Sequence, residues 1–116
     1  MNYRQRGAKG ETLGIAYLEA CGFEFVDRNI YIGGAELDLV MKKADSYYLI
    51  EVKYRQSLRY GKPIEAMTYQ KCQHFKRACI AYMRSIENFK HYHYSFLGIL
   101  KTDDGYTYHW IEDFFN

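Results

Sequence analysis

Several signals that sort chains into specialised classes are missing from these 116 residues. The opening Met1-Asn2-Tyr3-Arg4-Gln5-Arg6-Gly7 has none of the apolar segment a secretory leader needs. No stretch approaches the roughly 20 apolar residues of a membrane helix. A cytoplasmic protein without a membrane partner is therefore the expectation. The three cysteines, Cys21, Cys72 and Cys79, form no C-x-x-C pair, and their odd number argues against a disulfide framework. All three are expected to be reduced and mostly buried. Repeats and low-complexity segments are absent. A net charge of +2 is too small to point to nucleic acid by itself, so the placement of the charges has to carry that argument.

What remains has the size of one domain, spanning residues 1–116. The aromatic share is high, and 13 of those residues are tyrosines. Tyrosine joins apolar area to a hydroxyl, which suits half-buried positions and binding surfaces.

Periodicity and breakers divide the chain into seven elements. Leu13, Ala16, Tyr17 and Ala20 form a helical stripe over residues 8–21, with Glu11 in the first turn and Gly22 as the C-terminal stop. A strand follows over 23–30, with Phe23 and Phe25 on alternate positions, and Gly33-Gly34 marks a turn. Strands over 35–42 and 47–55 are joined so closely that they pair antiparallel. Pro63 fits the first position of a second helix over 63–86. Strands over 92–100 and 106–111 flank the hairpin signal Asp103-Asp104-Gly105. The order α-β-β-β-α-β-β predicts an α/β fold, a mixed sheet flanked by helices, with the crossover through the second helix right-handed and its strands parallel.

Two adjacent strands carry charge where a sheet would carry core. Side chains alternate along a strand, so Glu51 and Lys53 share one face with Leu49, and Ile50, Val52 and Tyr54 share the other. In the preceding strand Glu36 and Asp38 share a face, opposite Leu37, Leu39 and Met41. Buried charges are paired or hold a metal. Mg²⁺ and Mn²⁺ take hard oxygen ligands, which Asp38, Glu51 and the Val52 carbonyl would supply. Such an ion polarises a scissile phosphate and activates water, and Lys53 beside it would hold that water. Glu11 from the first helix would complete the acidic cluster, and Glu36 would hold a second ion or orient a water. The alternative is a solvated sheet face carrying surface ion pairs. The tight connection of the two strands, and charges on the covering helices, weigh against it.

The flanking residues resemble a known family. Gly10-Glu11, Ala16-Tyr17-Leu18, Gly22-Phe23, Arg28-Asn29, the block Ala35-Glu36-Leu37-Asp38-Leu39-Val40, Ile50-Glu51-Val52-Lys53-Tyr54-Arg55, Tyr60-Gly61-Lys62-Pro63 and Lys71 look like the bacterial YraN-like family. The resemblance spans nearly the whole chain. It implies the PD-(D/E)xK restriction-endonuclease-like core, shared more distantly with archaeal Holliday-junction resolvases. It also implies catalytic roles for Asp38, Glu51 and Lys53, with Glu11 in the acidic position of the first helix. The chain departs from the family pattern twice. Ala35 stands where the family has glycine, and no aspartate follows an aromatic near Tyr94-Ser95-Phe96-Leu97.

The basic residues Arg4, Arg6 and Lys9 lie before or at the start of the expected first helix. Arg55, Arg59 and Lys62 surround Tyr60 in the loop after the charged strand. Both groups adjoin the acidic residues and would receive phosphates. Lys71 falls on the inward stripe of the second helix, pointing either at the acidic site or past the core edge. His91 and His93 read as an exposed polar face rather than a zinc site, and His74 and His109 as structural. Trp110, Phe114 and Phe115 either close the core or dock a partner. The expected function is metal-dependent hydrolysis of phosphodiester bonds in DNA, branched or otherwise structured. The alternative is a nucleic-acid-binding module without catalysis. Cutting both strands of a symmetric junction would favour a homodimer.

Overall fold

A computed structural model describes residues 1–86 and 91–114. The elements are α1 (Tyr3–Ala20), β1 (Glu24–Ile32), β2 (Ala35–Lys43), β3 (Ser46–Arg55), a 3₁₀ turn (Pro63–Ala66), α2 (Tyr69–Arg84), β4 (His91–Thr102) and β5 (Gly105–Ile111).

Helix α1 begins earlier than its apolar stripe because a cap, not a stripe, starts it. The Asn2 side chain accepts the Gln5 N–H at 2.8 Å, and the Gln5 side chain accepts the Asn2 N–H at 2.9 Å, a reciprocal capping box. Arg4, Arg6 and Lys9 therefore lie within α1 rather than ahead of it, and Glu11 sits mid-helix rather than in the first turn. The helix ends at Ala20 with Cys21 as its C-cap, followed by Gly22 at φ +93°.

The sheet has the order β1-β2-β3-β4-β5. Neighbours are antiparallel except β3 and β4, which run parallel as the crossover requires. Gly33 and Gly34, both at positive φ, form the two-residue link that lets Ile32 pair with Ala35. This mixed sheet with two helices is compatible with the restriction-endonuclease-like core that the sequence suggests.

Both faces of the sheet are covered. Leu18, Leu39, Met41, Ile50, Val52, Leu97 and Ile99 pack on the α1 side. Val40, Leu49, Phe75, Cys79 and Tyr94 pack on the α2 side. The expected alternation in β2 breaks at Leu37, which joins Ala35 and Val40 on the α2 side instead of Leu39 and Met41. Across from this break, between the pairs Arg28↔Leu39 and Ile30↔Leu37, Asn29 takes φ +54°. A left-handed residue there turns the ribbon. Ala35 itself has no left-handed φ, so alanine fits where the family has glycine.

Three further expectations need correction. Phe25 is exposed, because β1 is an edge strand whose register slips between Phe25 and Asp27, while Phe23 precedes β1 and packs edge-on against Tyr48 and Trp110. The second helix is divided: Pro63 opens the 3₁₀ turn, and α2 starts anew at Tyr69 with Thr68 capping the Lys71 N–H. Cys21 is exposed, whereas Cys79 is buried and Cys72 half-buried, and all three are free thiols. At the C-terminal end Phe114 stacks on Phe96 and its N–H donates to the Tyr94 carbonyl at 2.6 Å. Trp110 and Phe114 thus close the core; Phe115 lies outside the described residues. No described helix is long and apolar enough to cross a membrane.

Two glycines let α1 lie close on the sheet. A Cβ at Gly10 would stand 2.9 Å from the Tyr54 Cβ, and one at Gly14 would stand 3.1 Å from Leu97 Cδ2. Gly10→Ala is expected to destabilise the fold by about 1–3 kcal/mol through overpacking against a backbone-near atom. Gly7→Ala, with open space around it, should be neutral or slightly stabilising. Urea unfolding midpoints of the two variants make the comparison.

Candidate functional site

The site begins where a strand pair stops pairing. The β2–β3 ladder runs from Lys43↔Ser46 to Leu39↔Ile50 and ends there. The next two positions in register are Asp38 and Glu51. In place of further ladder bonds, the Val52 N–H donates to Asp38 Oδ2 at 2.9 Å. Strand β3 meanwhile stays paired with β4 as far as Arg55↔Leu100. The two strands therefore fork. A residue's N–H and C=O leave a strand on the same edge, so the Val52 carbonyl also faces the fork.

Glu51 and Lys53 lie on the α2 side, as the alternation predicts. The Lys53 Nζ stands 3.6 Å from Glu51 Oε1. The Glu51 charge also reaches the thiols of Cys72 and Cys79, both raised by burial first and by Glu51 second. From the other side, α1 brings in Glu11, only 6% exposed. Arg28 on β1 meets it, with Nη2 3.3 Å from Oε1, and the same nitrogen donates to the Ala8 carbonyl and the Thr12 hydroxyl. Asp38 stands in the fork and interacts electrostatically with Glu51 and Lys53 on one side and with Glu11 on the other.

The cluster carries excess negative charge. Three carboxylates, Glu11, Asp38 and Glu51, face two cations, Arg28 and Lys53. Burial, and next the Glu51 charge, hold the Asp38 carboxyl well above its ordinary value, against the Val52 N–H and Lys53. Burial, and next the Asp38 charge, raise Glu11, against Arg28 and Asn29. Asp38, Glu51 and the Val52 carbonyl are oxygen donors at neighbouring positions of the fork, and a donor set of that chemistry fits a hard divalent ion.

A cleft of about 1310 Å³ opens over the fork. Glu11, Glu36, Asp38, Glu51, Val52 and Lys53 line it, together with Arg4, Arg6, Arg55, Arg59, Tyr60 and Lys71. Glu36 is exposed and is not among the groups that act on Asp38. Lys71 is exposed in the first turn of α2, rather than on the buried stripe. Lys9 and Lys62 do not line the cleft. Lys9 turns to Tyr106, its ammonium 5.7 Å from the ring centre and its pKa raised by a hydrogen bond to that hydroxyl. Lys62 borders a separate apolar hollow with Pro63 and Gly98.

Sequence reasoning did not single out Arg28, Tyr3 or His74 as site residues. Arg28 is two strands away from Glu51 in the chain's order, so only the folded sheet reveals it as the partner of Glu11. His74 lines the cleft three residues after Lys71, a helical spacing that could have flagged it. Among the described residues the one group of three His, Cys, Asp or Glu side chains with ligand atoms within 4.8 Å of one another is His93, Glu112 and Asp113, where the C-terminal segment returns to the sheet; Glu11, Asp38 and Glu51 are not drawn that close together. His93 Nδ1 lies 2.7 Å from Asp113 Oδ1, and its ring stacks on Tyr48 on the α1 side, opposite Glu51 and Lys53.

Removing Arg28 would leave Glu11 buried with a raised share of uncompensated charge. Arg28→Ala is expected to cost about 1–3 kcal/mol of stability. Adding Glu11→Gln should recover part of that loss, and a double-mutant cycle measured by thermal unfolding reads the coupling.

Comparisons with known proteins place these residues in one family. A sequence model described as "Uncharacterised protein family UPF0102" matches residues 10–100, which contain Glu11, Asp38, Glu51 and Lys53. A UPF0102 protein of Syntrophomonas wolfei is 41% identical over 86 residues, covering 74% of this chain and 75% of its own. A UPF0102 protein of Aliivibrio salmonicida is 33% identical over 113 residues, covering 97% and 92%. One from Dictyoglomus turgidum is 27% identical over 111 residues, covering 95% and 94%.

Proposed function

The chain belongs to the uncharacterised protein family UPF0102, and on the geometry of the fork we propose that it is a metal-dependent nuclease hydrolysing phosphodiester bonds of DNA. The observation that carries this reading is the Asp38 carboxylate taking the Val52 N–H in the fork. That contact ties Asp38 to β3 at Val52, one position along from Glu51, whose Oε1 stands 3.6 Å from the Lys53 ammonium.

Asp38, Glu51 and the Val52 carbonyl would hold Mg²⁺ or Mn²⁺. When bound, such an ion polarises the phosphate and lowers the pKa of a water. Lys53, a donor with no acceptor capacity, orients the attacking water and offsets charge developing on the phosphate oxygens. Glu51 holds the Lys53 ammonium in place through their ion pair. Glu11 is fixed by Arg28 and adds negative potential behind Asp38. Arg4, Arg6, Arg55, Arg59 and Lys71 line the same cleft and counter the repulsion between the acidic centre and a polyphosphate backbone. The substrate of this reading is DNA, branched or otherwise structured.

The aspartate missing near Phe96 does not weaken this reading. Tyr94 packs on the α2 side and Leu97 on the α1 side, so residues following an aromatic at 94 or 96 project away from Glu51 and Lys53.

Cleavage of a panel of single-stranded, duplex and branched DNA with Mg²⁺ or Mn²⁺ tests the proposal. Wild type should cut at least one substrate, EDTA should stop it, and Glu51→Gln should lower the rate by about 10²-fold or more. Binding without cleavage, unchanged by EDTA, would replace this reading with a non-catalytic nucleic-acid-binding module.

A further inference from the structure

Some large rings stand in solvent where the core has no use for them. Tyr3 is 82% exposed and Tyr60 74% exposed. Both line the cleft that holds Asp38, Glu51 and Lys53. They come from different elements: Tyr3 opens α1, and Tyr60 lies in the loop that follows β3. Each ring also has a guanidinium beside it, Arg6 at 5.9 Å from the Tyr3 centre and Arg59 at 5.5 Å from the Tyr60 centre.

Such a pair has a specific chemical use. A phenol ring with most of its surface in water offers a flat apolar platform, and an arginine against it limits the ring's freedom and adds a phosphate-binding charge. A paired duplex presents base edges in its grooves, while its base faces are already stacked on one another. The faces become available only where nucleotides are unpaired, and aromatic side chains then stack on them without regard to sequence. Two ring–guanidinium units in one cleft therefore match a strand whose bases are free.

We propose that the cleft selects nucleic acid with unpaired nucleotides next to the phosphodiester at the acidic centre, with Tyr3 and Tyr60 each stacking on a base and Arg6 and Arg59 contacting adjacent phosphates. This rests on the nuclease reading and names its substrate class. Tyr3 and Tyr60 are positioning residues that set specificity. They do not touch the acidic centre.

Fluorescence anisotropy with the full chain in EDTA measures it without cleavage. The probes are a labelled single-stranded oligonucleotide and the blunt duplex of the same sequence. Wild type should bind the single strand more tightly than the duplex. Tyr3→Leu and Tyr60→Leu should each weaken single-strand binding about tenfold, the size of one base–aromatic stack, and leave duplex binding unchanged. Tyr3→Phe and Tyr60→Phe keep the ring and should bind as wild type does. If the leucine variants weaken neither probe, or both alike, the stacking proposal is overturned, and metal-dependent cleavage by wild type would leave the nuclease reading standing. If wild type binds neither probe, or the duplex as tightly as the single strand, the stacking proposal falls, and the cleavage panel decides the nuclease reading separately.

Discussion

Asp38→Asn is expected to give a protein that is more stable than wild type without metal and inert as a nuclease. Both effects follow from the carboxylates gathered at the fork. Asp38 has its carboxyl raised by burial and by Glu51. A carboxyl raised on folding favours the protonated state in the native protein. Below its ordinary value both folded and unfolded chains are protonated there, and the group costs nothing. As pH climbs from the ordinary value through the raised one, the unfolded chain releases its proton first, and stability falls. Above the raised value the full penalty stands. Glu11, raised as well, contributes with the same sign. Asparagine carries no charge and still accepts the Val52 N–H, so the variant loses most of this decline. A gain of about 0.5–2 kcal/mol at neutral pH is expected, the scale of stabilising changes at strained functional sites. Urea unfolding between about pH 4 and pH 8, in EDTA, would show wild type weakening with pH more than the variant. Added Mn²⁺ should reverse the order, since ligand at 100 times its Kd adds about 2.7 kcal/mol to a protein that binds it. The variant, short one carboxylate ligand, should gain little.

Lys53→Ala is expected to lose cleavage by about 10²–10³-fold, the cost of removing one donor from a charge-stabilising site. Its effect on metal should run the other way. Lys53 is one of the groups that hold Asp38 down, and its ammonium faces Glu51 at 3.6 Å. Without it the carboxylates repel each other more, and the metal-free protein should weaken more steeply as pH rises. A divalent ion then relieves more repulsion, so Mn²⁺ should stabilise Lys53→Ala at least as much as wild type. The two variants thus share one phenotype in a cleavage assay and differ in a thermal shift. A purely structural role for Lys53 would give no such division.

The faces of β3 were legible in the sequence because β3 is a regular strand, and a period of two assigns Glu51 and Lys53 without further knowledge. The face of Leu37 was not legible. It depends on the left-handed turn at Asn29 in the neighbouring strand, a tertiary event with no local periodic signal. The start of α1 is hidden for a different reason: Asn2 and Gln5 begin the helix through side-chain caps, while its first residues carry no apolar stripe. The division at Pro63 is hidden because proline opens a 3₁₀ turn and an α-helix equally well, and the second start rests on the Thr68 cap alone. Glu11 was foreseen as a neighbour of the acidic residues, but its partner Arg28 comes through β1 packing beside α1. Lys9 and Lys62 stood near the site in the chain and not in the cleft, because a helix and a loop give neighbouring residues different directions.

The central claim is that the fork holds a divalent cation. Crystals soaked in Mn²⁺ and measured for anomalous scattering test it most directly. The account predicts a peak between the Asp38 and Glu51 carboxylates, in contact with the Val52 carbonyl, that disappears in Asp38→Asn. A fork without a peak at saturating Mn²⁺, or a peak only at His93, Glu112 and Asp113, would contradict it.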